Sequence, residues 1–218
     1  MRTIGADFHD DLARRRSVRM ISPEPVPLDV IDQAIATAST APSGAHMQPW
    51  TWVVTGDPDV KRRIREAAEE EERQNYLDHR MNDEWQSALA PLGTDHHKEF
   101  LEVAPWIVVL FEQRYGVNDD GSRRHHYYVK ESCGIAAGFF IAALHRMGLS
   151  TLTHTPSPMA FLTQVLDRPE NERPFVLFPV GRALDDVLVP DLRRKTLDEV
   201  RVLVGDPPSP STSPSPPG

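Results

Sequence analysis

The chain has 218 residues, a formal net charge of −8 and a sequence pI of about 5.6. This length suits one domain that can bury a core, and the acidic balance argues against nucleic acid as a partner. No apolar run reaches the length of a membrane-spanning helix and no signal-peptide pattern opens the chain, so we expect no membrane partner. The single cysteine, Cys133, excludes an intrachain disulfide and fits a reducing cytoplasm, where we expect the protein to reside.

A basic run near the start, Arg14-Arg15-Arg16-Ser17-Val18-Arg19, follows the acidic pair Asp10-Asp11. Charge runs of this kind are usually solvated faces. The alternative is an anion site, because a partly buried dianion needs guanidinium forks and a hydroxyl close together. The run alone leaves both interpretations open.

Apolar residues recur at helical spacing from Val30 to Ala38 and predict an amphipathic helix. Residues 40–52 then lead into an apolar strand bounded by Gly56-Asp57-Pro58. Within this connection Pro42 fixes one backbone angle, and Gly44 permits positive φ or the close approach of a ligand to the main chain. The stretch is either an ordinary connector or a ligand cradle that presents backbone N–H groups.

A strongly acidic segment, residues 60–77, predicts a helix that begins near Asp57 or Asp59. Glu72 and Tyr76 stand four residues apart, so this helix places them on one face. The polar, weakly periodic region that follows ends at Lys98. Because a connection of that length is often functional, we expect a substrate lid over about residues 70–100.

The second half of the chain predicts two buried strands, at residues 104–111 and 174–181. Between them we expect a polar loop over residues 115–124, a helix from about His126 to Met147 and a short helix at residues 161–166. Cys133 falls on the apolar stripe of the long helix, which predicts a small core residue rather than a reactive thiol.

Two histidine pairs, His96-His97 and His125-His126, lack cysteines or paired carboxylates at ligand spacing, so we expect no metal site. No phosphate-binding glycine loop or nucleophile elbow is present in the sequence. Residues 206–218 are rich in Pro and Ser and are predicted to be disordered, outside a domain that spans residues 1–205.

The string Pro42-Ser43-x-x-x-x-Gln48-Pro49-Trp50, placed after an amphipathic helix, resembles the flavin-binding loop of the nitroreductase superfamily. Residues 40–46 resemble more narrowly the iodotyrosine deiodinase branch, and the likeness extends from about Arg15 to Val204. It implies an α+β fold with a mixed, largely antiparallel sheet flanked by helices. It also implies an intertwined homodimer, with the long helix in the interface and two FMN sites, each built from both chains.

The resemblance implies ten cofactor contacts: Arg15, Arg16, Ser17, Arg19, Pro42, Ser43, Thr153, His154, Thr155 and Arg194. Thr155 corresponds to the hydroxyl donor near the flavin N5. His154 stands where the family more usually has a small hydroxyl residue. Ala45 matches the backbone N–H that binds the substrate phenolate, so Ala45 and Thr155 are the predicted catalytic positions.

Glu72, Tyr76 and Lys98 match the three lid residues that hold the zwitterion of an amino acid in the deiodinase branch. The set is chemically suited to this role, because a carboxylate meets the ammonium while an ammonium and a phenol meet the carboxylate. The alternative is that these are three unrelated surface residues.

The resemblance implies FMN-dependent reductive dehalogenation of 3-halotyrosines to tyrosine and halide, with electrons from NAD(P)H or a reductase. A general NAD(P)H-dependent nitroreductase or quinone reductase is the alternative, and it would not need the three zwitterion residues. A protein that only binds or sequesters FMN is the non-enzymatic alternative, since a fold can be shared without its chemistry.

Overall fold

The computed structural model describes residues 1–77 and 95–205. In chain order its helices and strands are α1 (Arg2–Ala13), α2 (Leu28–Ala38), β1 (Trp50–Thr55), α3 (Pro58–Leu77), α4 (Phe100–Val103), β2 (Trp106–Gln113), β3 (Tyr115–Val117), β4 (Arg123–His125), α5 (Val129–Arg146), β5 (Ser150–Thr151), α6 (Phe161–Val165), β6 (Glu172–Gly181) and α7 (Leu197–Val200). Four strands form an antiparallel sheet in the order β1-β2-β6-β5, and β3 pairs with β4 in a hairpin. A parallel bridge between Ser17 and Thr151 confirms that the pairing is mixed but largely antiparallel.

The central strand β2 is buried on both faces of the sheet. Side chains alternate along a strand, so Val108 and Leu110 pack with α2 and α5. Ile107, Val109 and Phe111 lie on the opposite face and pack with α3 and α6. Helices therefore cover both faces, which explains why this strand is a continuous apolar run in the sequence.

Helix α5 buries one apolar stripe and exposes another. The predicted stripe from Cys133 to Leu144 packs against α2 and the sheet. On the remaining surface Ile135 and Phe139 are exposed. A Cβ added at Gly134 or Gly138 would meet no other atom within 4 Å. A single chain thus presents a second surface of α5 that is apolar and has little side-chain bulk.

Three features differ from the sequence predictions. The N-terminal helix α1 was not predicted. The expected loop over residues 115–124 contains the hairpin of β3 and β4, closed by a hydrogen bond of 2.9 Å from the Asn118 N–H to the Ser122 carbonyl. The long helix begins at Val129 rather than His126, because Tyr128 has a φ of 51°, which is left-handed and ends helical geometry.

Among the helices that the structure describes, none is long and apolar enough to cross a membrane.

Candidate functional site

A basic cavity of about 430 Å³ lies between residues near the start of the chain, at 15–19, and residues near its end, at 190–194. Its wall contains six of the ten predicted cofactor residues, namely Arg15, Arg16, Ser17, Arg19, Thr153 and Arg194. The Arg194 guanidinium joins the two basic clusters, since it donates to the carbonyls of Ala13 and Arg15, each at 2.9 Å. Arg16 in turn donates to the Pro190 carbonyl. The fold therefore brings together two clusters that lie at opposite ends of the sequence.

Positive charge is concentrated in this cavity. Burial, followed by the neighbouring Arg194 and Arg16, lowers the pKa of the Arg15 guanidinium. A doubly charged anion would relieve this repulsion, and guanidinium forks match the oxygens of a phosphate. Ser17 adds a hydroxyl on the same wall. This set of donors fits the phosphate of a mononucleotide.

The turn at residues 153–155 is held to the sheet through its middle residue. The His154 N–H donates to the Leu177 carbonyl at 2.8 Å, and the Leu177 N–H donates back at 3.0 Å. Because side chains alternate along an extended segment, Thr153 and Thr155 are exposed and His154 is buried. The His154 side chain therefore does not line the basic cavity, although the backbone path predicted for this turn is present.

Glu72 and Lys98 meet although 26 positions separate them in the sequence. The Glu72 carboxylate lies 3.9 Å from Lys98 Nζ, and the two side chains are 15% and 3% exposed, respectively. Burial raises the pKa of Glu72, and Lys98 opposes this rise. Tyr76 follows Glu72 by one turn of α3, where only its backbone is described. Two of the three predicted zwitterion residues therefore lie close together in the fold.

Lys98 is also the link between this pair and the basic cavity. Burial lowers the pKa of its ammonium, Glu72 and Asp95 oppose that effect, and Arg19 adds to it. Arg19 itself lines the basic cavity. The Glu72–Lys98 pair and the predicted cofactor site are therefore neighbours within one chain.

Two residues that the sequence did not single out hold Lys98 in place. Its ammonium donates to the Asp95 carbonyl, and its backbone N–H donates to the Glu69 carboxylate at 2.8 Å. Glu69 lies on α3, one turn before Glu72. Its position on the same face of an acidic helix was the only sequence signal for this role.

The loop around Ala45 has an unusual backbone. Ala45 has φ 48° and ψ 30°, and His46 and Gln48 also have positive φ. This conformation is costly for residues with a Cβ and is common at ligand sites. Gly44 is needed for a different reason, since a Cβ there would lie 2.6 Å from the Tyr127 carbonyl oxygen. The close approach predicted at Gly44 is thus made by the chain itself.

Most N–H groups between Gly44 and Gln48 have acceptors within the chain. Gly44 donates to the Ser132 hydroxyl at 3.2 Å and Gln48 donates to the Ser43 hydroxyl at 2.9 Å. The next two N–H groups after Ala45 donate to carbonyls within the loop. Over residues 1–77 and 95–205, no acceptor is found for the N–H of Ala45, which is exposed. This N–H is accessible to a ligand, and the role that the resemblance implies for it stays a prediction.

One chain does not bring all the predicted cofactor residues together. The loop that carries Pro42 and Ser43 is fixed to Ser132 near the start of α5. A second cavity of about 320 Å³ shares Arg15 with the basic cavity and is lined by Ile141 of α5. Neither Pro42 nor Ser43 lines either of these two cavities.

The histidine pairs show no arrangement suited to a metal. In the described part of the chain no group of three or more His, Cys, Asp or Glu side chains could hold a metal ion. His97 instead lies 3.3 Å from the Asp95 carboxylate. His126 is buried, and its Nδ1 lies 2.9 Å from the Gln113 carbonyl oxygen.

Comparison with known proteins gives consistent results. The nitroreductase family model matches residues 12–182. An iodotyrosine deiodinase of Haliscomenobacter hydrossis is 54% identical over 91% of this chain and 88% of its own length. The zebrafish (Danio rerio) iodotyrosine deiodinase is 50% identical over 90% of this chain and 67% of its own length.

A crystal structure of oxidised iodotyrosine deiodinase bound to FMN and 3-iodo-L-tyrosine matches with a TM-score of 0.78 and 25% identity. The match covers 90% of this chain and all of that one. These similarities extend over most of the chain. The chain therefore belongs to the nitroreductase family, and within it to the iodotyrosine deiodinases.

Proposed function

We propose that this protein is an FMN-dependent oxidoreductase that removes the halogen from 3-halotyrosines and releases tyrosine and halide. The observation that carries the proposal is the buried pair of Glu72 and Lys98 beside the basic cavity. A general nitroaromatic or quinone reductase has no use for a buried acid–base pair at this position. The similarity to iodotyrosine deiodinases over about nine-tenths of the chain supports the same conclusion.

FMN is the cofactor that fits the site. Arg15, Arg16, Ser17 and Arg194 would hold its phosphate, because they combine guanidinium groups and a hydroxyl on one wall. When bound, FMN supplies the two electrons of the reaction. Thr155 in the neighbouring turn has an exposed side chain, and its hydroxyl would donate a hydrogen bond to the ring system.

The substrate is held at both ends. Glu72 would take the ammonium of the amino acid, and Lys98 with Tyr76 its carboxylate. At the other end the Ala45 N–H would donate to the phenolate oxygen, since a ring halogen makes the phenol more acidic. One proton enters at the halogen-bearing carbon, and the halide leaves with the electron pair of the broken bond. These contacts position the ring and use binding energy for orientation.

The complete site requires a homodimer. Pro42 and Ser43 do not line the basic cavity of their own chain, so a second chain would have to bring such a loop to the cavity. The surface for that contact is available, because Ile135 and Phe139 of α5 are exposed beside glycines. Ile4 and Phe8 of α1 are also exposed and lie one turn apart. A two-fold dimer would bury these apolar surfaces and form two equivalent sites.

An external donor must reduce the cofactor after each turnover, and NAD(P)H or a reductase would serve. The single cysteine, Cys133, is buried and unpaired, and burial raises its pKa to about 12. A protein of this composition suits a reducing compartment, and we place the reaction in the cytoplasm.

The proposal is tested by halide release. The purified protein is reduced with dithionite and supplied with 3-iodotyrosine, 3-bromotyrosine or 3-chlorotyrosine, and 2-iodophenol serves as the matched substrate that lacks the amino-acid group. We expect a yellow, dimeric protein that releases halide from the halotyrosines at far lower concentrations than from iodophenol. Equal use of iodophenol would favour the general reductase, and a yellow protein without turnover would favour FMN sequestration.

A further inference from the structure

His154 connects the turn beside the basic cavity to the segment that carries Lys98. Its backbone is fixed to Leu177 by two hydrogen bonds, and exposed threonines flank it on both sides. Its ring packs edge-on against Phe100, with the ring centroids 5.7 Å apart and the planes at 85°. Phe100 begins α4, two residues after Lys98. The side chain therefore lies against the segment that positions the amino-acid end of the site.

The imidazole is buried and incompletely satisfied. His154 is 8% exposed, and its Nε2 has no hydrogen-bond partner among the residues described. Native proteins satisfy most buried polar atoms, so an exception of this kind often marks a functional position. A phenylalanine or leucine could fill the same space without leaving an unpaired nitrogen.

Two cations, Lys98 and Arg19, act electrostatically on this ring. Burial, then Lys98 and then Arg19, lowers the pKa of His154 to about 3. The ring is therefore neutral under physiological conditions, and a neutral imidazole has one nitrogen that accepts a hydrogen bond. With the proton on Nδ1, the accepting atom is Nε2. A neutral acceptor beside an ammonium is suited to orient it without pairing its charge.

We propose that His154 is a positioning residue for the amino-acid end of the substrate, and that its Nε2 accepts a hydrogen bond from the Lys98 ammonium in the substrate complex. The bond holds the ammonium where it meets the substrate carboxylate. The charge of Lys98 remains available because the imidazole is neutral. The inference rests on the proposed function only in naming a halogenated tyrosine as the ligand.

The test measures binding to the oxidised holoprotein by titration calorimetry, with 3-iodotyrosine and 2-iodophenol as ligands. His154→Phe keeps an aromatic ring against Phe100 and removes the nitrogen, and His154→Leu is a second apolar variant in case the first packs poorly. His154→Gln restores a neutral acceptor at a similar reach. Retained FMN and the melting temperature report on the fold of each variant.

We expect both apolar variants to bind 3-iodotyrosine about 10-fold more weakly, the scale of one hydrogen bond to a charged group. Binding of 2-iodophenol and FMN retention should not change, and His154→Gln should stay within about 3-fold of the parent. Unchanged binding of 3-iodotyrosine by the apolar variants would overturn the proposal. An equal loss for both ligands would also overturn it, because that result indicates a structural role only.

Halide release by the parent protein is measured separately and decides the proposed function. A parent that binds 3-iodotyrosine in preference to iodophenol but releases no halide would refute dehalogenation and leave the binding test of His154 intact. A parent that binds both ligands equally would refute the role of His154, whatever its turnover.

Discussion

Replacing Glu72 with glutamine keeps the shape of the side chain and removes the charge that faces Lys98. The two groups are 3.9 Å apart and largely buried. At an effective dielectric constant of about 20, charges at this distance interact by about 4 kcal/mol. A substrate ammonium at a similar distance from the carboxylate would interact with it by the same order of energy, and desolvation offsets part of that, so we take about 2 kcal/mol as the net contribution of the carboxylate to holding the ammonium. That free energy corresponds to a rise of about 30-fold in the KM for 3-iodotyrosine.

The assay is halide release at increasing concentrations of 3-iodotyrosine, with dithionite as reductant and 2-iodophenol as the second substrate. Glu66→Gln is the matched control, since Glu66 is on the same helix but its side chain is 59% exposed. The KM for iodophenol should not change in either variant. An unchanged KM for 3-iodotyrosine in Glu72→Gln, or an equal rise for both substrates, would show that this carboxylate does not bind the ammonium.

Three further changes test the remaining parts of the site. Arg194→Ala should weaken FMN binding at least 10-fold in a fluorescence titration, because it removes one cation and the two hydrogen bonds to the carbonyls of Ala13 and Arg15; unchanged affinity would exclude Arg194 from the phosphate site. Thr155→Ala should slow halide release while FMN stays bound, and a normal rate would remove Thr155 from the mechanism. The folded protein holds the pKa of His154 near 3, below its usual value of about 6.5. The unfolded chain therefore binds a proton that the folded one does not, and the free energy of unfolding should fall as the pH drops from about 6.5 toward 3. In denaturant titrations, the free energy of unfolding of His154→Phe should fall less steeply over that pH range. An identical slope in the variant and the parent would contradict the burial of this ring.

The regular core could be predicted from the sequence because its signals are local. Helical spacing identifies α2, and continuous apolar runs identify β2 and β6. Asp57 accepts the N–H groups of Asp59 and Val60, at 2.9 and 3.0 Å, so the predicted start of α3 is confirmed. In each case the residues that form the element also carry the sequence pattern that predicts it.

Other features depend on contacts that no local pattern records. Helix α1 buries no residue in a single chain, so its apolar residues do not mark a core in the sequence. In the loop around Ala45, positive φ occurs at Ala45, His46 and Gln48, whereas composition had pointed to Gly44. The meeting of Glu72 with Lys98 depends on how α3 packs beside α4, and only the family resemblance had paired them. The predicted lid and Pro/Ser-rich tail lie largely outside the described residues, at 78–94 and 206–218.

The most direct test of dehalogenation is a single turnover of the prereduced protein without excess reductant. Dehalogenation predicts that 3-iodotyrosine reoxidises the flavin and that one iodide ion and one tyrosine appear for each reduced flavin. A flavin that stays reduced in the presence of bound 3-iodotyrosine, with no iodide formed, would contradict it.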